Sequence, residues 1–372
     1  MNVTTAPPPG TASPWLATMQ RVRAPQRLPG LLVLAALAVL LLLALLFAAG
    51  QGAYSLPLRE LPGVLWHALP FGQAAQQPET HELVFFHIRL PRLVLGIVAG
   101  AGLGLSGALM QGLFRNPLAD PGLIGVSSGA ALAAGVTIVM GSLWLPDLPR
   151  ALGSWTLVLM AFAGGLAVTV LIYLLSRGEG GTRVGLMLLA GIAVNALAGA
   201  GLGMLNFLAT DEQLRNLQFW LLGSLGGARW SAVALVSGLT LVAGVLGWRL
   251  ARPLNALALG EAQAVLLGVP VERVKRTAIG VTALAVGAVT ATTGIFGFIG
   301  LVAPHMVRLL AGPDHRWVLP GSALLGAAMV TLADAVARTV MQPAELPLGV
   351  LTAAVGVPFF LLLLRSAHGR RL

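Results

Sequence analysis

The sequence contains no cysteine and a single lysine, Lys275. The first absence excludes disulfides and any cysteine-ligated metal or cluster. The second excludes a GxxxxGK[ST] phosphate-binding loop, because Lys275 stands in VERVKR and not in a glycine-rich turn. ATP-driven work would therefore need another subunit. Charge is scarce too. Only 10% of the 372 residues are charged, against about 25% in a soluble domain. No HExxH motif and no paired carboxylates occur in the apolar runs. An intramembrane enzyme would lack its catalytic constellation.

What fills the chain instead is apolar: 57% of residues are hydrophobic and the mean hydropathy is +0.86. Ten runs approach the ~20 residues of a spanning helix: 31–50, 93–113, 122–141, 151–175, 184–208, 229–250, 277–296, 299–311, 317–341 and 347–364. Short alternating strand patterns are absent, which argues against a β-barrel. The expected fold is an all-α polytopic membrane protein with about ten transmembrane helices, or nine if 299–311 is re-entrant. Helices satisfy their own backbone groups in lipid.

The net charge of +10 would suit nucleic acid, but its distribution points to membrane topology. If residue 1 is cytoplasmic and ten spans alternate, the outer side holds Arg59, Arg89, Arg92, Arg150, Arg215, Arg229 and Arg338. The other 16 of the 23 basic residues lie inside. That bias follows the positive-inside rule and puts both termini in the cytoplasm. Residues 1–29 are polar and Pro-rich, read as a disordered cytoplasmic tail. A signal peptide is the alternative, but 31–49 is longer than the usual 7–15-residue apolar core. Residues 30–366 form the membrane domain and 367–372 a short cytoplasmic tail. Gly96, Gly100 and Gly104 repeat at four, as do Gly199 and Gly203. This spacing allows close helix approach, read first as intrachain packing and second as a subunit interface. GLIGV (122–126) and GFIGL (297–301) form a weak internal echo.

One charged, Pro-interrupted segment breaks the apolar pattern at 254–276. Asn255 is placed to cap a short helix, Gly268 to end it and Pro270 to block its continuation. Glu272 precedes Lys275 and Arg276 at ion-pair spacing. Two readings stay open: an amphipathic helix resting on lipid, or a docking element for a partner.

The chain resembles the permease subunits of ABC importers for iron chelates, haem and cobalamin, the FecCD-type family. The stretches that carry the resemblance are RLPR (89–92), SGALMQGLFRNPLADPGLIGVSSGA (106–130), FWLLGSLGGARW (219–230), LNALALGEAQAVLLGV (254–269), GFIGLVAPHMVRLLAGPDHR (297–316) and ELPLGVLTAAVGVPFFLLLL (345–364). LATDEQLRNLQFWLLGSLGGARW (208–230) resembles the haem-importing branch. The resemblance implies a homodimer in the bacterial inner membrane, with two cytoplasmic ATPase subunits and one periplasmic binding protein. Haem would be the cargo, ATP would bind the partner, and no cofactor would be permanently bound. A ferric siderophore or cobalamin is the alternative cargo.

The resemblance also assigns residues. Segment 254–269 would be the coupling helices that dock on the ATPase, with Leu259, Gly260, Glu261, Ala262 and Gly268 at the contact. Arg89, Arg92 and Arg338 would dock the binding protein, since the arginine fork binds carboxylates bidentately. Interfacial anchoring, and an Asp334–Arg338 pair at i, i+4, are the simpler readings. The loop SRGEGG (176–181) would form the inner gate. Arg183, Asn195 and Met204 are candidates for the path, with Phe207 beside them. Intramembrane polar residues such as Asn195 are costly and default to functional candidates. Asn116 and Asp120 are read as turn formers. His305 and His315 are read as structural, without a second ligand at helical spacing, and no metal site is expected. His81 and His87 would lie near the outer vestibule. An ion-coupled secondary transporter is the remoter alternative. It would typically bury carboxylates, and here only Asp120 and Asp334 come near a span.

Overall fold

The computed structural model describes residues 28–52, 80–144, 152–178, 181–342 and 344–368, with residues 59, 62, 63 and 66 besides. The tail at 1–27 and residues 369–372 lie outside these. All ten apolar runs fold as helices. In chain order, α1 is Gly30–Gly50 and α2 is Thr80–Phe114, with one π turn at Phe85–Arg89. A 3-10 turn at Pro121–Ile124 leads into α3, Val126–Trp144. Then come α4 (Trp155–Leu175), α5 (Val184–Leu208), the short α6 (Asp211–Leu222) and α7 (Trp230–Arg249). Two short helices follow, α8 (Ala251–Leu257) and α9 (Glu261–Leu266). The chain ends with α10 (Val271–Thr293), α11 (Ile299–Ala311), α12 (His315–Ala337) and α13 (Leu348–His368).

Among the described residues, seven helices are long and apolar enough to cross a membrane: α1, α2, α4, α5, α7, α10 and α12. The apolar helices α3, α11 and α13 are shorter. At 1.5 Å per residue, the 13 residues of α11 cover about 20 Å, short of a ~30 Å hydrocarbon core.

The centre of the bundle is α2 packed on α12, with α10 and α11 beside them. Glycine makes that approach possible. A Cβ on Gly100 would sit 2.2 Å from the Gly326 carbonyl oxygen, and one on Gly104 would sit 2.0 Å from that of Ser322. The α2 glycine repeat therefore serves intrachain packing. The same spacing on α5 does not: nothing lies within 4 Å of a Cβ built on Gly199 or Gly203. The second echo segment packs just ahead of the first, because a Cβ on Gly300 would touch the ring of Pro121, the residue before Gly122, at 3.0 Å. A two-residue hairpin, Arg177–Gly178 against Gly181–Thr182, joins α4 to α5.

Candidate functional site

Two polar clusters stand out, one at the α2–α12 pair and one at the start of α10. The first joins the start of α2, the end of α12 and the end of α1. Asp334, 3% exposed, takes Arg92 at 2.9 Å and Arg338 at 3.0 Å. Glu345 receives a bidentate pair from the Arg92 Nη atoms at 2.7 and 2.9 Å. Arg338 also donates to the Ala48 and Gln51 carbonyls, and Arg89 donates to that of Ala49 at 2.6 Å. The last carbonyls of a helix lack intrahelical donors and carry the negative end of its dipole, so guanidinium groups settle there. The Arg92 hydrogen bonds hold the Glu345 carboxyl below the usual glutamate range, against the opposing effect of burial.

The sequence reading placed these arginines at the outer ends of helices, where the resemblance implies docking of a binding protein. The structure instead buries all three, with Arg89 at 4%, Arg338 at 7% and Arg92 at 8% exposure. Nearby carboxylates and helix-terminal carbonyls offset their desolvation. The expected Asp334–Arg338 pair forms, as one arm of this larger cluster. The exposed carboxylate of the set is Glu345, whose side chain is 43% exposed.

The second cluster lies where α4, the hairpin, α9 and α10 meet. Glu272 accepts from the Thr182 amide at 2.9 Å, the Thr182 hydroxyl at 2.6 Å and the Tyr173 hydroxyl at 3.2 Å. Lys275 pairs with Glu261 at 2.8 Å and donates to the Thr182 carbonyl at 2.7 Å. The expected Glu272–Lys275 pairing at helical spacing is therefore replaced by distant partners. The Arg177 guanidinium lies over the Tyr173 ring. Arg183, just after the hairpin, is exposed.

The helix pair α8–α9 is anchored by buried Leu254, Leu257 and Ala264. Gly260 joins the two at φ 121°, where a side chain would be strained and a Cβ would meet Gln263 Oε1 at 2.2 Å. Leu259, Ala262, Val265, Leu266, Leu267 and Gly268 are exposed, with Leu266 at 87%. Gly268 also has positive φ, and Val271 restarts the helix after Pro270. Asn255 does not cap α8. It lies inside that helix and reaches the start of α12, bonding Asp314 and the His315 amide and ring. Burial opposes ionisation of Asp314, but the Arg316 amide and the Asn255 side chain together hold its carboxyl below the ordinary range. His315 is thus built into a helix junction, next to Arg308. Among the described residues, no group of three or more His, Asp or Glu is placed to hold a metal.

Along α5, Asn195 turns inward. Its side chain accepts from Ser128 and donates to the Gly122 carbonyl at 3.2 Å, tying α5 to α3 and the 3-10 turn. Met204 and Phe207 face outward, 57% and 83% exposed. Asn116 and Asp120 shape the turn before α3 through the Leu118 and Gly122 amides. Sequence reasoning missed Lys275, Thr182 and Glu345 as cluster members. The one available signal was a lone lysine in a charge-poor chain.

A polytopic helical bundle with an exposed apolar helix pair at one end and an arginine–carboxylate cluster at the other is an arrangement suited to a membrane transport subunit. The comparisons narrow that class. The family model of the FecCD transport family matches residues 30–366, and the chain belongs to that family. It is 44% identical over 345 residues to the hemin transport system permease protein HmuU of Yersinia pestis, covering 91% of this chain and 97% of that protein. It is 41% identical over 317 residues to the cobalamin import system permease protein BtuC of Halobacterium salinarum, covering 83% and 82%. A solved inward-facing structure, described as of the metal-chelate type of ABC transporter, superposes with a TM-score of 0.77. Its identity is 30%, covering 90% of this chain and 99% of that one.

Proposed function

We propose that this chain is the permease of an ATP-driven importer that carries haem inward across the bacterial inner membrane by alternating access. The observation that carries the cargo is the 44% identity to the haemin permease along 97% of that protein's length. The cobalamin relative, at 41%, keeps cobalamin as the second reading, with a ferric siderophore beside it. The permease works as a homodimer. The largely uncovered face of α5, with Gly199 and Gly203 open, supports a second copy and a path between the two. Arg183, Met204 and Phe207 border that path, and Asn195 braces it from behind.

Two ATPase subunits dock on α8–α9 through exposed Leu259, Ala262 and Leu266, with Gly260 and Gly268 setting the bends. Both termini share the cytoplasmic side with this helix pair. A binding protein docks at the opposite face, over Arg89, Arg92 and Arg338. Glu345 supports a specific mode: an incoming carboxylate takes its place on Arg92, exchanging one bidentate pair for another. Arg92→Glu then weakens binding-protein affinity.

The test is uptake by proteoliposomes holding the permease, its ATPase and its binding protein. Haem, a ferric siderophore and cobalamin are offered separately. Selective haem uptake supports the reading. Uptake of another chelate replaces the cargo, and no ATP-dependent uptake by an intact complex refutes the importer.

A further inference from the structure

Lys275 is buried to 4% exposure at the start of α10. Its ammonium touches two separate elements: Glu261, the first residue of α9, at 2.8 Å, and the carbonyl of Thr182, the last residue of the hairpin, at 2.7 Å. One turn earlier on α10, Glu272 takes the amide and the hydroxyl of the same Thr182. Three polar atoms of one residue are thus held by two side chains of one helix. Glycine at 181 lets Glu272 come this close, since a Cβ there would stand 3.0 Å from its Oε2. Thr182 lies two residues before the start of α5. The exposed apolar side chains of α9 are on the same six-residue helix as Glu261.

We propose that Lys275, with Glu272, is the positioning strut that carries displacement of the α8–α9 pair to the hairpin and so to α5. This rests on the importer reading and names the residue that links its energy input to its gate. A flexible lysine on the surface would transmit little. Here burial and opposed partners fix the ammonium. Charge-assisted hydrogen bonds are short, strong and directional, and the lysine end of these is shielded from water. Glu261 then does not serve as a free charge for the ATPase. Its carboxylate is the near end of the strut, and the surface offered to the partner is the apolar one around Leu266.

The experiment compares wild type with Lys275→Met in liposomes holding the assembled transporter, its ATPase and its binding protein. Cargo uptake and ATP hydrolysis are read in the same vesicles. The expected result is a fall of about tenfold in uptake per ATP hydrolysed, within the usual range of coupling between sites. Lys275→Arg, which keeps the charge, restores part of it. A merely structural lysine would lower the amount of folded complex and leave the uptake per ATP unchanged. That outcome overturns the strut. Exposed Arg177 and Ala262 take spin labels through introduced cysteines, since the chain has none of its own. In wild type, ATP shifts the distance from each label to its copy in the second permease. In Lys275→Met only the Ala262 distance shifts. If both still shift as in wild type, the strut is wrong. Where Lys275→Met does not assemble, Glu272→Gln gives the same comparison by weakening the hold on Thr182. An intact wild-type complex that never couples ATP to uptake overturns the importer reading, and the strut with it.

Discussion

Asp334→Ala is the sharpest test of the arginine–carboxylate cluster. The carboxylate is 3% exposed and pairs with two buried guanidinium groups, Arg92 and Arg338. Removing one partner of a buried pair costs about 3–5 kcal/mol, mostly because a charge is left uncompensated. Here the loss falls toward the lower bound. Arg92 keeps Glu345, and Arg338 keeps the Ala48 and Gln51 carbonyls. A loss of about 3 kcal/mol, at roughly 2 °C per kcal/mol for a large chain, lowers Tm by about 6 °C. Glu345→Gln provides the scale. Its carboxylate is 43% exposed, and an exposed pair contributes under about 1 kcal/mol. The assay is thermal unfolding of the purified permease in detergent, followed by size-exclusion chromatography of the surviving fraction. Asp334→Asn separates charge from shape and falls between the two. Equal melting of Asp334→Ala and Glu345→Gln would refute the buried-clamp account.

Gly100→Val drives a side chain into the Gly326 backbone and separates α2 from α12, whereas Gly199→Val meets open space within the chain. The first loses folded permease on chromatography; the second keeps the monomer fold and, if the α5 face joins two copies, shifts the dimer toward monomer. Leu266→Asp, at a side chain 87% exposed, leaves permease folding unchanged and prevents co-purification of the ATPase. Stability falls with acid. The Glu345 carboxyl ionises more readily folded than unfolded, so its contribution is present above the ordinary value of about 4.3. It is lost as pH drops through the lower folded value. Melting profiles between neutral pH and pH 3 show this, and Glu345→Gln removes that part of the slope.

The helices were readable because lipid imposes one requirement on every spanning segment, and it is written locally in composition. All ten apolar runs became helices, and the α2 glycine spacing found its partner. Spacing does not state whether a partner lies in the same chain, which is why Gly199 and Gly203 resemble Gly100 and Gly104 in sequence and differ from them in place. The polar residues were less readable, because their partners are far apart. Asn255 has the composition of a cap and does stabilise a helix start, but that of α12, some sixty residues on. Glu272 and Lys275 have the spacing of a local pair. Thr182 and Glu261 supply contacts at 2.6 and 2.8 Å from elsewhere in the chain, and those form instead. The arginines looked exposed because nothing local announces that the end of α1 lies beside Arg338.

On the importer reading proposed above, the two clusters divide the labour between a part that stays and a part that moves. The apolar windows of α2 and α10 are each 78% buried and that of α12 is 67% buried, whereas that of α5 is 17% buried. Backbone contact at Gly100 and Gly104 leaves α2 and α12 no room to slide, and Asp334 fixes one end of that pair. Lys275 and Glu272 sit on the rigid α10, but what they hold is the hairpin that leads into the loosely covered α5. A push on α9 therefore meets a firm helix behind it and a free one ahead. Packed cores respond to small shifts by switching between discrete arrangements rather than by bending. Of the seven spanning helices α5 has the least buried apolar window, so on that reading the path is expected to open along α5 while the centre of the bundle keeps its shape.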